Sequence, residues 1–383
     1  MPTPDPRSDL FAHRLVFAGP NRLAFECCQL PLPGPGEVIL RARHSLITPG
    51  SELPLLAGGH SPDSPWAALG YYPVQPGFGQ TAEIAKLAPR TAGWIVGQIV
   101  ACPLGHCSAG LIRADRLVAV PTDLPAEAGK LVTLATGALR ALRIGGVGPR
   151  TTVLVVGLGL VGQLIGRLAN AIGARAVAGL EPRSERRALA AAAGLVACSP
   201  VDGDPATAVR RALDGLADVV FEASGQALAV PFALRLVANG GTYVQVGCPT
   251  EPSSVDFFAA VVANGVTIRG SPFWDIPTHG SGRGLTRASE VPEVFGKDTA
   301  LIEPARESER GAATDQWEPD RAAVRPRRQA DAESFFDLVR AGRMSLDGLI
   351  GGSYPWREAK AAYELLARSP AIPLGLTLDW RAE

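Results

Sequence analysis

Residues 153–169 read VLVVGLGLVGQLIGRLA. The apolar run Thr152–Val156 has the composition of a strand buried on both faces. Gly157, Gly159 and Gly162 follow it as G-x-G-x-x-G, and strong helix formers follow over 163–172. In such a strand–turn–helix the first glycine permits the tight turn. The second lets backbone approach a pyrophosphate, and the third lets the helix pack on the strand. The phosphates then sit on free N–H groups of the helix N-terminus, at Leu160 and Val161. A second apolar strand, AVAGL at 176–180, leads to Glu181 at the spacing where an acid meets the adenosine ribose hydroxyls. A carboxylate there accepts hydrogen bonds from a diol and repels a ribose phosphate. NAD(H) is therefore the preferred cofactor, while Arg183, Arg186 and Arg187 leave NADP(H) open.

Outward from this turn, strands alternate with helices. Helical spacing covers 126–144 and 185–193, and further strands are expected at 218–222, 242–246 and 266–269. This is the pattern of a parallel sheet with helices on both faces. Before residue 126 the chain is β-rich, with short strands at 15–17, 37–43, 97–101 and 116–120 between Gly- and Pro-rich turns. The segment 279–328 is charged and lacks apolar periodicity, so it reads as a solvated insertion or a lid. Helical spacing returns at 332–341 and 356–367.

The bulk properties narrow the function classes. The 383 residues suggest two domains. Lys plus Arg equals Asp plus Glu at 37 each, so no net field draws nucleic acid or acidic lipid. The six cysteines form neither a disulfide framework nor a CxxC knuckle. No signal-peptide core or membrane-length apolar run is present, so a cytoplasmic protein is the expectation.

The order β-rich domain, glycine-turn domain, short return resembles the medium-chain dehydrogenase/reductase superfamily. Several stretches carry the resemblance: LPGPGEVILRARHSLI, YYPVQPGFGQTAEI, LATGALRAL, VFEASG, GGTYVQVG, TIRGSPF and YPWREAKAAYELL. It implies an α/β protein with a GroES-like β-rich catalytic domain (1–133, with the return 273–383) and a Rossmann doubly wound parallel-sheet domain (134–272). It also implies cofactor contacts at Thr136, Ser224, Gly247, Ser271 and Phe273. A homodimer joined through the edge strand near 266–270 is a further implication.

At the family's zinc positions this sequence departs. Proline stands at 49 for the first cysteine, and Phe78 and Gly79 replace the histidine–glutamate pair. Val132 and Leu134 lie near the third ligand, and the four-cysteine lobe is missing. A catalytic zinc needs about three protein ligands, so no zinc is expected. The stretch Ile47–Glu52, ITPGSE, is similar to the I-S-P-G-T-E signature of zinc-lacking relatives that include bacteriochlorophyllide dehydrogenase-like proteins.

Without a metal, side chains must polarise a carbonyl or accept an alcohol proton. The candidates are Ser51, where family members place a relay hydroxyl, together with Glu52 and His106. Each has a plainer reading: Ser51 as a turn residue, Glu52 as a surface or ion-paired acid, His106 as a packing histidine. The favoured function is zinc-independent hydride transfer between NAD(H) and an alcohol or ketone on a small or mid-sized, biosynthetic substrate. Reduction of an activated C=C bond, and a catalytically silent nucleotide-binding regulator, are the alternatives.

Overall fold

A computed structural model describes residues 11–58, 72–271, 321–369 and 371–382. The hairpin β1 (Phe11–Gly19) and β2 (Arg22–Gln29) opens the chain as a two-stranded sheet. β3 (Glu37–Ile47) is the spine of the first domain. It pairs antiparallel with β4 (Gln80–Leu87) and β6 (Ala109–Arg113), and β5 (Ile99–Cys102) and β7 (Val118–Ala119) extend the sheet. Between β3 and β4 lies helix α1 (Pro49–Ala57). The P-G-S-E stretch thus opens a helix rather than an isolated turn. Proline at the first helical position is compatible because its missing N–H would have no helical partner.

Helix α2 (Ala126–Gly145) links the two domains, running without a break through the position where the domain change was expected. Then come β8 (Thr152–Val156), α3 (Leu160–Ala171), β9 (Ala176–Leu180), α4 (Ser184–Ala192), β10 (Val196–Cys198), α5 (Pro205–Leu213), β11 (Ala217–Glu222), α6 (Ala229–Leu234), β12 (Val237–Gln245) and β13 (Thr267–Gly270). The sheet order is β10-β9-β8-β11-β12-β13, all parallel. Strand order reverses beside β8, so a crevice opens between the carboxyl ends of β8 and β11, where open α/β sheets bind their ligands. β8 is buried along its whole length, as its uninterrupted apolar sequence requires.

The chain then returns to the first domain through α7 (Arg321–Arg340), β14 (Ser353–Pro355), α8 (Ala359–Arg368) and β15 (Leu376–Asp379). Part of the charged segment therefore differs from expectation, because 321–328 begins a helix. Ala, Arg and Gln favour helix intrinsically. The apolar anchors come later, at Ala332, Phe335 and Phe336, which are buried in one cluster with Leu131, Ala135 and Leu142 of α2. The remainder of that segment, and Phe273, lie outside the described residues. β15 pairs antiparallel with β3, with Leu376 opposite Ile47 and Asp379 opposite His44. The C-terminal strand thereby fixes the end of β3 from which α1 departs.

Both domains share apolar core. A single cluster holds Leu46 and Ala101 of the β-domain, the inner face of α2, Leu158, Leu164 and Leu168 of the glycine-turn unit, and Phe335. Phe335 has no exposure. Its replacement by alanine is expected to cost about 3–5 kcal/mol, read as a lowered denaturant midpoint.

Candidate active site

The glycine turn can be tested glycine by glycine. Gly157 has φ +90°, and a Cβ there would stand 2.6 Å from Ser224 Cα. A Cβ on Gly162 would collide with the Gly157 carbonyl oxygen. Packing explains both. Gly159 is different: its φ is −69°, and a Cβ would meet only Arg186 Nη1, at 3.6 Å. No side chain caps α3 at that residue. Free space and uncapped first-turn N–H groups fit a pyrophosphate.

Glu181 ends β9 almost fully buried. Its Oε2 accepts the Leu158 N–H at 2.9 Å, and Oε1 accepts the Arg183 N–H at 3.1 Å. Of the three following arginines, Arg187 donates to the carbonyls of Glu181 and Pro182. Arg186 donates Nε to Ala371 O at 2.8 Å and lies 3.7 Å from the Glu181 carboxylate. The acid therefore sits directly against the turn.

Ser224 and Gly247 join Gly157 at the carboxyl edge of the sheet. Glu222, a residue the sequence reading did not single out, ties them together. Its carboxylate accepts Ser224 N–H at 2.8 Å, the Ser224 hydroxyl, and Gln245 Nε2–H at 2.8 Å, while its carbonyl accepts Gly247 N–H at 2.7 Å. Burial pushes the Glu222 carboxyl above the usual range. Ser271 lies at the same edge after β13, and its buried hydroxyl has no partner among the described residues. Thr136 is half-buried on α2 and donates its hydroxyl to Thr133 O at 2.9 Å, as a helical threonine often does.

The second part of the site is the junction of β3 with α1. A Cβ at Gly375 would touch Ile47 O, Leu160 Cδ2 and Leu46 Cδ1 at 3.2–3.3 Å. The residue after Ile47 is therefore next to the first turn of α3. There Thr48, Ser51, Glu52 and His106 come together. Thr48 Oγ1 is 2.9 Å from Ser51 Oγ and donates to Glu52 Oε1 at 2.8 Å. The Thr48 N–H reaches the same oxygen at 2.7 Å. Glu52 Oε2 meets His106 Nε2 at 2.9 Å and accepts the Tyr363 hydroxyl. His106 Nδ1 lies 2.7 Å from Ser45 Oγ, which accepts Trp380 Nε1–H at 2.8 Å. Glu52 and His106 are both 0% exposed, whereas Thr48 and Ser51 each keep 8%. Thr48, Ser45, Tyr363 and Trp380 carried no sequence signal as site residues, since their roles depend on contacts from distant segments.

The side chains at the zinc positions offer no metal-binding atom. Pro49 begins α1, Phe78 is half-buried, and Val132 and Leu134 are buried in α2. Among the described residues, no group of three or more His, Cys, Asp and Glu is arranged to hold a metal ion. Burial pushes the thiols of Cys102 and Cys107 up to about 12 and about 11, far from a reactive thiolate.

A six-stranded Rossmann sheet joined to a β-rich domain, with a polar cluster at the junction, defines a two-domain dinucleotide-dependent dehydrogenase fold. A family model described as zinc-binding dehydrogenase matches residues 161–280, which excludes the residues at the zinc positions. The chain is 29% identical to the 2-desacetyl-2-hydroxyethyl bacteriochlorophyllide A dehydrogenase of Cereibacter sphaeroides, over 96% of this chain and 98% of that one. It is 27% identical to the enzyme of the same name from Rhodobacter capsulatus, again over 96% and 98%. Among solved structures, galactitol-1-phosphate dehydrogenase from Escherichia coli superposes with TM-score 0.71 at 18% identity, covering 96% of this chain and 99% of that one. An Escherichia coli alcohol dehydrogenase complexed with NADH gives TM-score 0.71 at 14% identity, covering 97% and 100%. The chain is an oxidoreductase that carries a zinc-binding dehydrogenase family domain over residues 161–280 and resembles medium-chain dehydrogenases over its whole length.

Gly159→Ala separates binding from folding. The protein is expected to keep its melting temperature, because the added methyl enters open space, and to lose about tenfold or more in dinucleotide affinity by calorimetry.

Proposed function

We propose that this protein transfers hydride between NAD(H) and a secondary alcohol or its ketone, without zinc. The observation that carries the reading is the chain of hydroxyls from Ser51 through Thr48 into the buried Glu52, placed beside the glycine turn. A bound nicotinamide would supply the hydride chemistry. Leu160 and Val161 would hold the pyrophosphate with their N–H groups, and Glu181 the adenosine ribose. Ser224, Gly247, Ser271, Thr136 and Phe273 complete the proposed cofactor contacts. Ser51 would donate a hydrogen bond to a substrate carbonyl, or accept the proton of an alcohol.

Two further points support the reading. The donor set at the family's zinc positions is proline, phenylalanine and valine, so polarisation falls to protein hydroxyls. Two relatives that match over 96% of this chain are named for dehydrogenation of a hydroxyethyl-bearing bacteriochlorophyllide. A hydroxyethyl group on a tetrapyrrole is therefore the first alcohol to offer, and a place in a biosynthetic sequence fits that chemistry. The Glu181 carboxylate favours the unphosphorylated ribose of NAD(H) over NADP(H), since a 2′-phosphate there would meet like charge. No helix among the described residues is long and apolar enough to cross a membrane. A cytoplasmic location fits that chain.

Two variants test the assignment on hydroxyethyl-bearing bacteriochlorophyllide and simpler secondary alcohols. Ser51→Ala should lower turnover about 100-fold or more while NAD(H) affinity stays unchanged. Glu181→Ala should weaken NAD(H) binding by roughly ten- to a hundredfold and narrow the gap to NADP(H). Unchanged turnover in Ser51→Ala would remove Ser51 from the reaction. Binding of neither dinucleotide by the wild type would remove the dehydrogenase reading.

A homodimer through the sheet edge fits the surface. Among the described residues β13 is exposed along its length and pairs on one side only, and Phe257, Phe258 and Ile268 are exposed. Ile268→Asp is expected to shift the mass measured by light scattering from dimer to monomer. A wild type already monomeric at micromolar concentration would exclude this interface.

A further inference from the structure

We propose that the buried Glu52 carboxylate is the terminal proton acceptor of the reaction, reached from the substrate only through the hydroxyls of Ser51 and Thr48. This deepens the alcohol–ketone reading and rests on it.

Hydrogen-bond directions follow from counting protons. Trp380 Nε1–H occupies one lone pair of Ser45 Oγ. Ser45 can then donate to His106 Nδ1, which leaves the His106 proton on Nε2, pointing at Glu52 Oε2. Tyr363 has a single hydroxyl proton and gives it to the same oxygen. Thr48 contributes two protons, from its N–H and its hydroxyl, both to Oε1. With its hydroxyl proton spent, Thr48 Oγ1 is the acceptor for Ser51. The donors of Thr48, His106 and Tyr363 all point at Glu52, which accepts four hydrogen bonds, while the Ser51 hydroxyl lies within reach of Thr48 Oγ1 and of the Thr48 carbonyl. The titratable groups facing it are His106, from the turn after β5, and Tyr363, from α8. Burial, and next the charge of Glu52, raise the Tyr363 phenol well above its ordinary range, so it stays a donor.

Among the residues around the carboxylate, Thr48 and Ser51 are the ones that keep some exposure, while Glu52, His106, Tyr363 and Ser45 have at most 1%. A bound nicotinamide would accept the substrate C–H pair as hydride and so supply the two-electron oxidant as the substrate C–O becomes C=O. The substrate O–H proton then passes to Ser51 Oγ, the Ser51 proton to Thr48 Oγ1, and the Thr48 proton to Glu52 Oε1, which ends as the neutral acid. Ketone reduction runs the same chain outward. His106 and Tyr363 act as positioning residues that hold the carboxylate and set how readily it accepts the proton. A zinc ion would polarise the substrate oxygen directly; here a buried anion with an oriented chain of hydroxyls accepts the proton instead.

The test uses the full-length protein, NAD⁺, and whichever alcohol of the panel the wild type oxidises fastest. Thr48→Val is nearly isosteric and breaks the chain, so the rate of hydride transfer in a single turnover should fall about 100-fold. Thr48→Ser should restore most of it. Tyr363→Phe removes one of the donors that position Glu52, so kcat should fall while the KM for the alcohol holds. Dinucleotide affinity and melting temperature of Thr48→Val and Thr48→Ser are compared to exclude a folding defect. Wild-type turnover with an unchanged rate and pH profile in Thr48→Val overturns the proton route while leaving the dehydrogenase reading intact. A wild type that oxidises none of the alcohols overturns the dehydrogenase reading, and the route falls with it.

Discussion

A carboxylate shut away from water must find its hydrogen-bond donors inside the protein, and Glu52 does so at long range. His106 comes from 54 residues away and Tyr363 from 311. Removing one partner from such a buried group costs more than the bond itself, because the charge is left uncompensated. The first domain is arranged so that this does not happen. β15 pairs with β3 and brings Trp380 to Ser45, α8 packs Tyr363 over α1, and the turn after β5 delivers His106. The apolar cluster of Leu15, Phe17, Ile47, Tyr363 and Trp380 excludes water from the same place.

The Rossmann domain meets this assembly through a shared core rather than a flexible link. α2 packs on both sheets, and Leu160, the first residue of α3, shares one core cluster with Leu46 of β3. The glycine turn and the Thr48–Ser51 hydroxyls thus lie at one packed junction between the two domains. Arg167 adds a polar tie: although burial lowers its pKa to about 10, it donates to the carbonyls of Ser345 and Asp347 in the return segment.

At three positions where the resemblance places metal ligands, this chain carries proline, phenylalanine and valine. Phe78 and Val132 fill their places with apolar surface, and a Cβ at Gly77, in the same segment, would come 2.8 Å from the His106 backbone nitrogen. The segment that carries ligands in zinc-dependent relatives by resemblance here presses on the histidine that supports Glu52.

The sequence by itself determined the Rossmann unit. Gly157, Gly159 and Gly162, the buried run before them and Glu181 after β9 act within some thirty residues, and local periodicity and turn sterics are written in neighbouring residues. It also determined that Pro49, Phe78 and Val132 cannot bind metal, because that is a matter of side-chain chemistry alone. It named Ser51, Glu52 and His106 as candidates, yet gave no means to choose between a surface acid and a buried one. Helix α1, the helical start of 321–340, and the roles of Thr48, Ser45, Tyr363, Trp380 and Glu222 came only with the tertiary structure. The reason is that burial and hydrogen-bond direction depend on strand register and on contacts between distant segments, and no local pattern of residues encodes which donor will face which acceptor.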